Sequence, residues 1–451
     1  MIEKIKIEKN ETYKMEITGM TDEGDGVGRV EGQAVFVPYT IVGEVVLVLI
    51  VKVLKNYAFG KLIEVITPSK NRIKAECEHF YRCGGCTLLH MDYEAELQYK
   101  QQKVEDCLQR IGKIDVNIAP IIGCNQRDRY RNKAQFPVTP QGIGIYAKRS
   151  HNVVNMNDCI IQKKFNSDIL ECVRKWMSDF NILPYDEGSD KGTVRHVYTR
   201  CGDSGIIVCI VTRSSDIPHK SELVNTLKEV NPNIIGIVQN VNEKVTNVVL
   251  GNVNKTLYGE DFIIDAIGDV KFKISIKSFY QVNKSQTEKL YSVAKAVANL
   301  SGDEIVWDMY CGIGTIGQFM ADSASTIVGV EIVESAVANA KENAKINRLN
   351  NTEYYQGAAE KVAPSLIKKG LIPDVVVLDP PRKGCDEALL KTIALAKAKK
   401  IIYISCKPST LARDLKYLEQ NGYKTKKATP VDMFPATGHV ECVVCLHRVE
   451  G

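Results

Sequence analysis

The chain has 451 residues, of which 44% are hydrophobic and 25% are charged. This length suggests about three domains, and the composition is ordinary for a globular protein. No apolar run reaches the length of a membrane span, and the N-terminus lacks the apolar core of a signal peptide, which together predict a cytoplasmic protein with no membrane partner. The net charge of +5 permits a nucleic-acid partner without requiring one.

Residues 1–66 are predicted to form a small β-barrel, because short alternating apolar runs are separated by glycine clusters. Exposed charges and rings on these strands could face a polyanion or simply form a solvated surface; they are Lys52, Lys55, Tyr57, Phe59 and Lys61. The glycine-rich run at residues 24–44 resembles the TRAM domain, a five-stranded RNA-binding barrel.

Three cysteines are closely spaced at Cys77, Cys83 and Cys86, with two glycines between the last two. Glycine allows sharp turns, so these thiols can converge on one metal centre, and Cys159 is the candidate fourth ligand. Four thiolates suit either a [4Fe–4S] cluster or zinc, and the spacing alone leaves both open. In a cytosolic chain such clustered cysteines favour metal binding over disulfides.

The second predicted domain, residues 67–260, alternates helical and strand patterns and is expected to be mixed α/β. It contains a basic segment in which every second residue is a cation. Side chains at alternate positions of an extended strand share one face, and such a row would suit RNA phosphates. A solvated strand face is the alternative for this row, which comprises Arg127, Arg129, Arg131 and Lys133.

Residues 261–451 repeat a strand–helix alternation that predicts a parallel, doubly wound sheet with ligands at the strand C-termini. A predicted strand at 305–310 runs into Gly312, Gly314 and Gly317, where a ligand can approach the backbone at a helix N-terminus. The next strand ends in Glu331, a place where an acid binds ribose hydroxyls. A third strand, 375–378, is closed by Asp379 and the sequence Pro-Pro-Arg.

The stretch 401–415 is predicted to be a buried strand that ends at Cys406 and a helix that begins near Pro408. A helix N-terminus and nearby cations favour the thiolate. We therefore expect Lys407, Arg413 or the helix dipole to lower the pKa of Cys406, which would make it a nucleophile. A buried structural cysteine is the alternative.

The glycine loop, Glu331 and Asp379-Pro-Pro-Arg382 together resemble a class I S-adenosylmethionine methyltransferase. The sequence SCKPSTLARDL at 405–415, with DPPRKG upstream and Gly438-His-Val-Glu441 downstream, resembles the RNA 5-methyluridine methyltransferase family. The TRAM-like module and the four cysteines resemble its iron–sulfur branch, which modifies 23S ribosomal RNA. Lys407 departs from the asparagine that many members carry after the cysteine.

The resemblance implies an α/β protein in which a Rossmann-like methyltransferase domain at 261–451 follows the barrel and the central domain. It implies methyl transfer from S-adenosylmethionine to C5 of a uridine in 23S ribosomal RNA, with Cys406 as the nucleophile at C6 and Glu441 as the base that removes the C5 proton. It also implies a [4Fe–4S] cluster on the four cysteines. The implied cofactor contacts are Gln281, Tyr310, Glu331 and Asp379, and Phe279 would stack on a base of the RNA.

Other functions fit the sequence less well. RNA cytosine-5 methyltransferases place a Pro-Cys pair directly after the corresponding aspartate, whereas here Pro381 is followed by Arg382 and Cys385 lies farther on. Adenine or guanine N-methyltransferases have an aromatic residue in place of Arg382. Radical S-adenosylmethionine enzymes have a shorter first gap between their cysteines. A non-catalytic RNA-binding iron–sulfur protein would leave Asp379, Cys406 and Glu441 without a role. Transfer RNA remains the alternative substrate.

Overall fold

The computed structural model describes residues 7–449. They fall into two compact units, one made of 7–103, 146–151 and 434–439, the other of 104–145, 152–433 and 440–449. The predicted division into 1–66, 67–260 and 261–451 stays a prediction, and its outermost residues, 1–6 and 450–451, lie outside the described range. Within that range, no helix combines the length and apolarity that a membrane crossing needs.

The first unit contains a closed five-stranded barrel with strand order β1-β2-β3-β5-β4. Alternate side chains of each strand point inward, as a period of two requires, so that Val46, Val48 and Ile50 of one strand are fully buried. This confirms the predicted small β-barrel. Its strands are β1 (Thr12–Met20), β2 (Gly26–Val30), β3 (Gln33–Val37), β4 (Val45–Val53) and β5 (Tyr57–Thr67), and the helix that follows is α1 (Tyr93–Asp106).

A mixed seven-stranded sheet lies in the second unit, in the order β13-β12-β11-β10-β7-β8-β9. Two helices cover it and bury Val173, Trp176 and Leu227 against its strands. This is the predicted mixed α/β architecture. Its elements are β7 (Lys133–Thr139), β8 (Gly142–Tyr146), β9 (Val153–Asn155), α2 (Phe165–Asp179), β10 (Val194–Gly202), β11 (Gly205–Thr212), α3 (Lys220–Val230), β12 (Ile234–Val241) and β13 (Val253–Gly259). A separate hairpin follows, β14 (Phe262–Ile267) and β15 (Val270–Ser275).

A second sheet of eight strands completes this unit, in the order β18-β17-β16-β19-β20-β22-β21-β6. The first five strands are parallel, and β22 pairs antiparallel with β20 and β21. Its strands are β6 (Asn117–Ile118), β16 (Ile305–Met309), β17 (Thr326–Glu331), β18 (Thr352–Gln356), β19 (Val375–Leu378), β20 (Lys400–Ser405), β21 (Tyr423–Val431) and β22 (Glu441–Arg448).

Helices cover this sheet as the strand–helix alternation predicts. They are α4 (Lys284–Ala298), α5 (Thr315–Met320), α6 (Glu334–Ile346), α7 (Ala359–Lys368), α8 (Glu387–Ala396) and α9 (Pro408–Gln420), with a π-helical turn at Cys107–Gly112 and a 3₁₀ turn at Ala321–Ser323. The strand order reverses between β16 and β19, and ligands bind at such a switch point, outside the carboxyl ends of the strands. The predicted doubly wound sheet is therefore confirmed.

Candidate active site

The glycine loop after β16 is held in an open conformation by its own backbone. Gly312 and Gly314 have φ angles of 55° and 84°, in the region that favours glycine. A Cβ on Gly314 would lie 2.6 Å from the amide of Gln318, whereas one on Gly312 would meet no atom within 4 Å. The loop backbone at Gly312 is thus open to a ligand.

Glu331 lies at the end of β17, beside this loop. Its carboxylate accepts hydrogen bonds from the backbone amides of Gly312 (3.1 Å) and Val333 (2.8 Å). The next two side chains, Ile332 and Val333, are 64% and 51% exposed although they are apolar. A fixed carboxylate next to an exposed apolar surface suits a ribose and the base attached to it.

Asp308 was not predicted as a site residue, although it lies just before the glycine loop. Its Oδ2 accepts a hydrogen bond of 2.8 Å from Gly317 N, which holds the first turn of α5. Its Oδ1 is buried and has no hydrogen-bond partner among residues 7–449, and burial raises the pKa of this carboxyl to about 7. A buried oxygen of this kind normally has a partner, so Asp308 is a further candidate for ligand binding. The signal for it in the sequence is an acid near the end of an apolar strand that leads into a glycine loop.

The loop from Asp379 to Cys385 is fixed by Asp414 of α9. The Asp414 carboxylate accepts hydrogen bonds from Cys385 N (2.8 Å) and from the Tyr403 hydroxyl (2.6 Å). Gly384 has a φ of 82° where the loop passes this carboxylate. Asp414 thereby joins the Asp-Pro-Pro-Arg turn to β20, the strand that leads to Cys406.

Cys406 follows β20 directly and precedes α9, as predicted. The antiparallel register between β20 and β22 pairs Ser405 with Cys442. Continued by one residue, this register sets Cys406 opposite Glu441. Residues directly opposite in an antiparallel pair have Cβ atoms about 5 Å apart, so the sheet brings together the two residues predicted as nucleophile and base.

The expected lowering of the Cys406 pKa is wrong. Burial, reinforced by the negative charges of Glu441 and Asp379, raises the pKa of the Cys406 thiol to about 11. Arg382 acts in the opposite direction but does not outweigh them. Removing a thiol from water disfavours its charged form, and the amount of burial depends on the tertiary fold.

The other groups expected to lower this pKa are directed elsewhere. The Lys407 side chain is exposed. Arg413 donates to Asp414 Oδ1 (2.8 Å) and to the Lys383 carbonyl (2.9 Å). Its charge is therefore directed at a carboxylate next to it.

The two acids that face the thiol are themselves perturbed. Burial, reinforced by the charge of Asp379, raises the pKa of Glu441 to about 8, and Arg382 partly opposes this. Burial raises the pKa of Asp379 to about 7. Side chains with such shifted pKa values cluster at functional sites, and a carboxyl with a pKa near 8 can both hold and release a proton near neutral pH.

The remaining predicted site residues near this sheet differ in exposure. Gln281 is buried, and its backbone carbonyl accepts a hydrogen bond from Asn132. Tyr310 is half-buried, has a φ of 66°, and its pKa is raised by burial. Phe279 is 67% exposed, so its ring is not packed in the core.

The predicted row of cations on one strand face is also wrong. Strand β7 begins only at Lys133, and Arg129 has a φ of 49°, which breaks any extended run. The Arg129 guanidinium makes a bidentate pair with Asp158 at 2.6 Å and also donates to the Cys159 carbonyl. It is therefore occupied within the protein, while Arg127 is exposed and Arg131 and Lys133 are half-buried.

The cysteines predicted as metal ligands are all half-buried. Three of them lie in the first unit, where Gly84 N donates to the Tyr146 carbonyl and a Cβ on Gly84 would lie 2.8 Å from that oxygen. Cys159 belongs to the second unit. Between residues 7 and 449, no three His, Cys, Asp or Glu side chains are grouped as metal ligands. The metal centre that the spacing of Cys77, Cys83, Cys86 and Cys159 predicts, and the [4Fe–4S] cluster that the family resemblance implies there, stay predictions.

Comparison with known families and structures identifies both ends of the chain. The family model of the TRAM domain matches residues 6–63, and that of tRNA (uracil-5-)-methyltransferases matches residues 246–449. A crystal structure of the Pyrococcus abyssi tRNA (uracil-54, C5)-methyltransferase in complex with S-adenosyl-L-homocysteine superposes with a TM-score of 0.80 at 26% identity, covering 96% of this chain and 100% of that one. This similarity confirms the predicted class I S-adenosylmethionine methyltransferase fold.

Closer relatives extend over nearly the full chain. An uncharacterized RNA methyltransferase of Clostridium tetani is 46% identical over 448 residues, covering 98% of this chain and 97% of the relative. Another, from Halalkalibacterium halodurans, is 47% identical over 447 residues, covering 98% of both. With a TRAM domain at its N-terminus and this similarity along its length, the chain belongs to the RNA uracil-5-methyltransferase family.

Proposed function

We propose that this protein transfers a methyl group from S-adenosylmethionine to C5 of a uridine in 23S ribosomal RNA, in the cytoplasm. The observation that supports this most directly is the placement of the Cys406 thiol opposite the buried Glu441 carboxyl at the ligand-binding edge of the sheet. A nucleophile and a proton acceptor are the two groups that substitution at C5 of a uracil requires.

The residues at the other end of the site fit the methyl donor. S-adenosylmethionine, when bound, supplies an electrophilic methyl group. Glu331 would hold its ribose, and the open backbone at Gly312 leaves space beside that carboxylate. Asp308, with its unpartnered Oδ1, Gln281, Tyr310 and Asp379 would complete the contacts.

Cys406 begins the reaction by making the uracil ring nucleophilic. The Cys406 thiol releases its proton to water, the resulting thiolate sulfur bonds to C6, and the electron pair of the C5–C6 double bond moves to C5 and the O4 enolate. C5 then forms a bond to the methyl group, and the bond between that carbon and the donor's sulfur breaks. Covalent attack thus divides one difficult substitution into easier steps.

Glu441 ends the reaction by removing a proton. After methyl transfer, C5 carries both the new methyl group and its original hydrogen. The Glu441 carboxylate takes that hydrogen as a proton, the C5–C6 double bond forms again, and the bond between sulfur and C6 breaks. A pKa of about 8 suits this acid to receive a proton and return it to water.

The test is covalent trapping with RNA that contains 5-fluorouridine. Fluorine at C5 cannot be removed as a proton, so the bond between sulfur and C6 should persist and peptide mass spectrometry should find it on Cys406. Cys406→Ala should abolish the adduct and reduce methyl transfer by at least about 10³-fold. Cys201→Ala is the matched control, because Cys201 is another half-buried thiol of the same unit with a pKa raised to about 11. Full activity of Cys406→Ala would contradict the proposal.

The RNA substrate needs its own experiment. The Pyrococcus abyssi structure is that of a tRNA methyltransferase, so transfer RNA is the second candidate. Mapping 5-methyluridine in ribosomal and transfer RNA from a deletion strain decides between them: loss from 23S ribosomal RNA alone supports the proposal, and loss from transfer RNA alone contradicts it.

The predicted iron–sulfur cluster is tested separately, by measuring iron and acid-labile sulfide in protein purified without oxygen. Stoichiometric amounts of both that disappear in Cys83→Ser would support the cluster. Zinc in their place would favour the alternative that the spacing leaves open. Neither methyl transfer nor proton removal, as described above, uses a cluster.

A further inference from the structure

Three cations lie close together in the second unit, and two of them are direct cross-strand partners in its seven-stranded sheet. The antiparallel register of β7 and β10 sets Lys133 opposite Arg200. Arg131 precedes Lys133 by two residues, and its charge acts on the lysine together with that of Arg200. Like charges directly opposite each other in a sheet are destabilising, so this arrangement costs the folded protein free energy.

Within residues 7–449, no carboxylate pairs with these three cations. Arg200 is buried, and its guanidinium donates only to neutral acceptors, the Tyr198 hydroxyl (3.1 Å) and the Ser275 and Ser278 carbonyls (3.2 and 2.8 Å). Among the residues that the structure describes, neither Lys133 nor Arg131 forms an ion pair, and Arg131 Nε is buried without an acceptor. Buried cations are normally paired with acids, so an anion is missing from this group.

The excess of positive charge affects the pKa of Lys133. Burial and the two guanidinium groups lower the pKa of Lys133 to about 8. Asp265 is the acid near Arg200, since the charges of both act on the pKa of Cys201. Its carboxylate, however, accepts hydrogen bonds from Lys284 (2.8 Å) and the Tyr280 hydroxyl (3.0 Å). The cations at the start of β7 therefore remain available to an anion from outside the chain.

The position of this group indicates which anion. Arg200 and Tyr198 donate hydrogen bonds to three backbone carbonyls just before Phe279, those of Ser275, Ile276 and Ser278. These carbonyls belong to the loop that carries Phe279. Phe279 is 67% exposed, and an exposed ring next to cations is the usual combination for single-stranded RNA, in which bases stack and phosphates pair. Arg200 thus fixes the loop that carries Phe279 and is at the same time the cross-strand partner of Lys133.

We propose that Lys133 and Arg131 each bind a backbone phosphate of the substrate RNA, while Arg200 holds the Phe279 loop in place through the Ser275 and Ser278 carbonyls. This inference rests on the proposed function and adds a phosphate subsite to it. It replaces the expected row of four cations with a group in which Arg129 has no part, because Arg129 is paired with Asp158.

The test measures binding of a fluorescein-labelled single-stranded oligoribonucleotide by anisotropy, over a series of salt concentrations and without methyl donor. Lys133→Gln and Arg131→Gln should each weaken binding and reduce the slope of log K against log salt by about 0.7, the value for one phosphate contact on a single strand. Lys175→Gln is the control, since Lys175 is an exposed lysine of the same unit and its loss should leave the slope unchanged.

Thermal unfolding separates a binding role from a structural one. Lys133→Gln relieves repulsion with Arg200, so its Tm should equal or exceed that of the wild type. A lower Tm together with weaker binding would mean that Lys133 supports the fold, and an unchanged salt slope would mean that it contacts no phosphate; either result overturns the inference. The inference is also overturned if inorganic phosphate raises the Tm of the wild type but Lys133→Gln has the same salt slope for RNA binding as the wild type.

Failure here is distinguishable from failure of the proposed function. The 5-fluorouridine adduct tests Cys406 in the wild type, whereas the salt slopes of Lys133→Gln test the phosphate contact without methyl donor. If the slopes change as expected but no adduct forms on Cys406 in the wild type, the subsite stands and the proposed chemistry does not.

Discussion

Two glutamates at the same edge of the eight-stranded sheet have opposite surroundings. Glu331 ends a parallel strand, is half-buried, and has its carboxylate oxygens fixed by two backbone amides. Glu441 begins β22, which reaches the same edge because it runs antiparallel, and it is buried with a pKa raised to about 8. The comparison teaches that the backbone amides make one carboxylate a fixed acceptor, while burial makes the other a group that exchanges protons.

Glu441→Gln removes the carboxyl that exchanges protons and should have the largest effect on methyl transfer. An amide cannot take the C5 proton, so methyl transfer should slow by about 10²–10⁴-fold. Because sulfur cannot leave C6 until that proton is removed, the covalent complex with unmodified RNA should accumulate on a denaturing gel. Glu387→Gln, at an exposed position of α8, is the control; turnover at the normal rate in Glu441→Gln would assign the proton to another base.

Glu331→Gln tests the binding side and should have a smaller, different effect. Loss of a charged acceptor for the ribose hydroxyls should raise the Kd for S-adenosylmethionine by about 10–100-fold, as expected for a hydrogen bond to a charged group. Isothermal titration calorimetry measures this. The kcat at saturating donor should change little, and accumulation of a covalent RNA complex in this variant would erase the distinction between the two glutamates.

The pH dependence of kcat/KM tests the comparison further, and here we expect the smallest change in rate. Glu441 is protonated below its pKa of about 8, and the Cys406 thiol below about 11, so kcat/KM should rise with pH between about 6 and 9. Arg382 lowers both pKa values. Arg382→Gln should therefore move the profile to higher pH and reduce the rate near neutrality by roughly tenfold. Lys383→Gln should not move it, and a profile that falls over this range would contradict the assigned pKa values.

The sequence predicts those parts of the site that lie within one strand and its following turn. Glu331 at the end of β17, Asp379 after β19 and Cys406 after β20 are each found where a short apolar run ends. Their positions follow from the rule that ligands bind at the carboxyl ends of parallel strands. The barrel is equally local, since its alternating strands are joined by glycine turns.

What the sequence does not predict depends on contacts between distant segments. The Cys406 pKa is raised mainly by burial, and further by Glu441, which β22 brings beside it; no local pattern shows that burial outweighs a helix N-terminus. The row of cations fails because Arg129 leaves the extended conformation to reach Asp158. Arg200 was overlooked because its partners, Lys133 and the loop before Phe279, are far from it in the chain.

The antiparallel pairing of β20 and β22 has a consequence for how this enzyme can vary. Side chains alternate between the two faces of a strand, so shifting the pairing by one residue would send Glu441 to the opposite face of the sheet. One extra residue inside either strand would thus separate sulfur from carboxylate while leaving both in the sequence. A variant of this kind would keep every recognisable motif and yet lack a working pair.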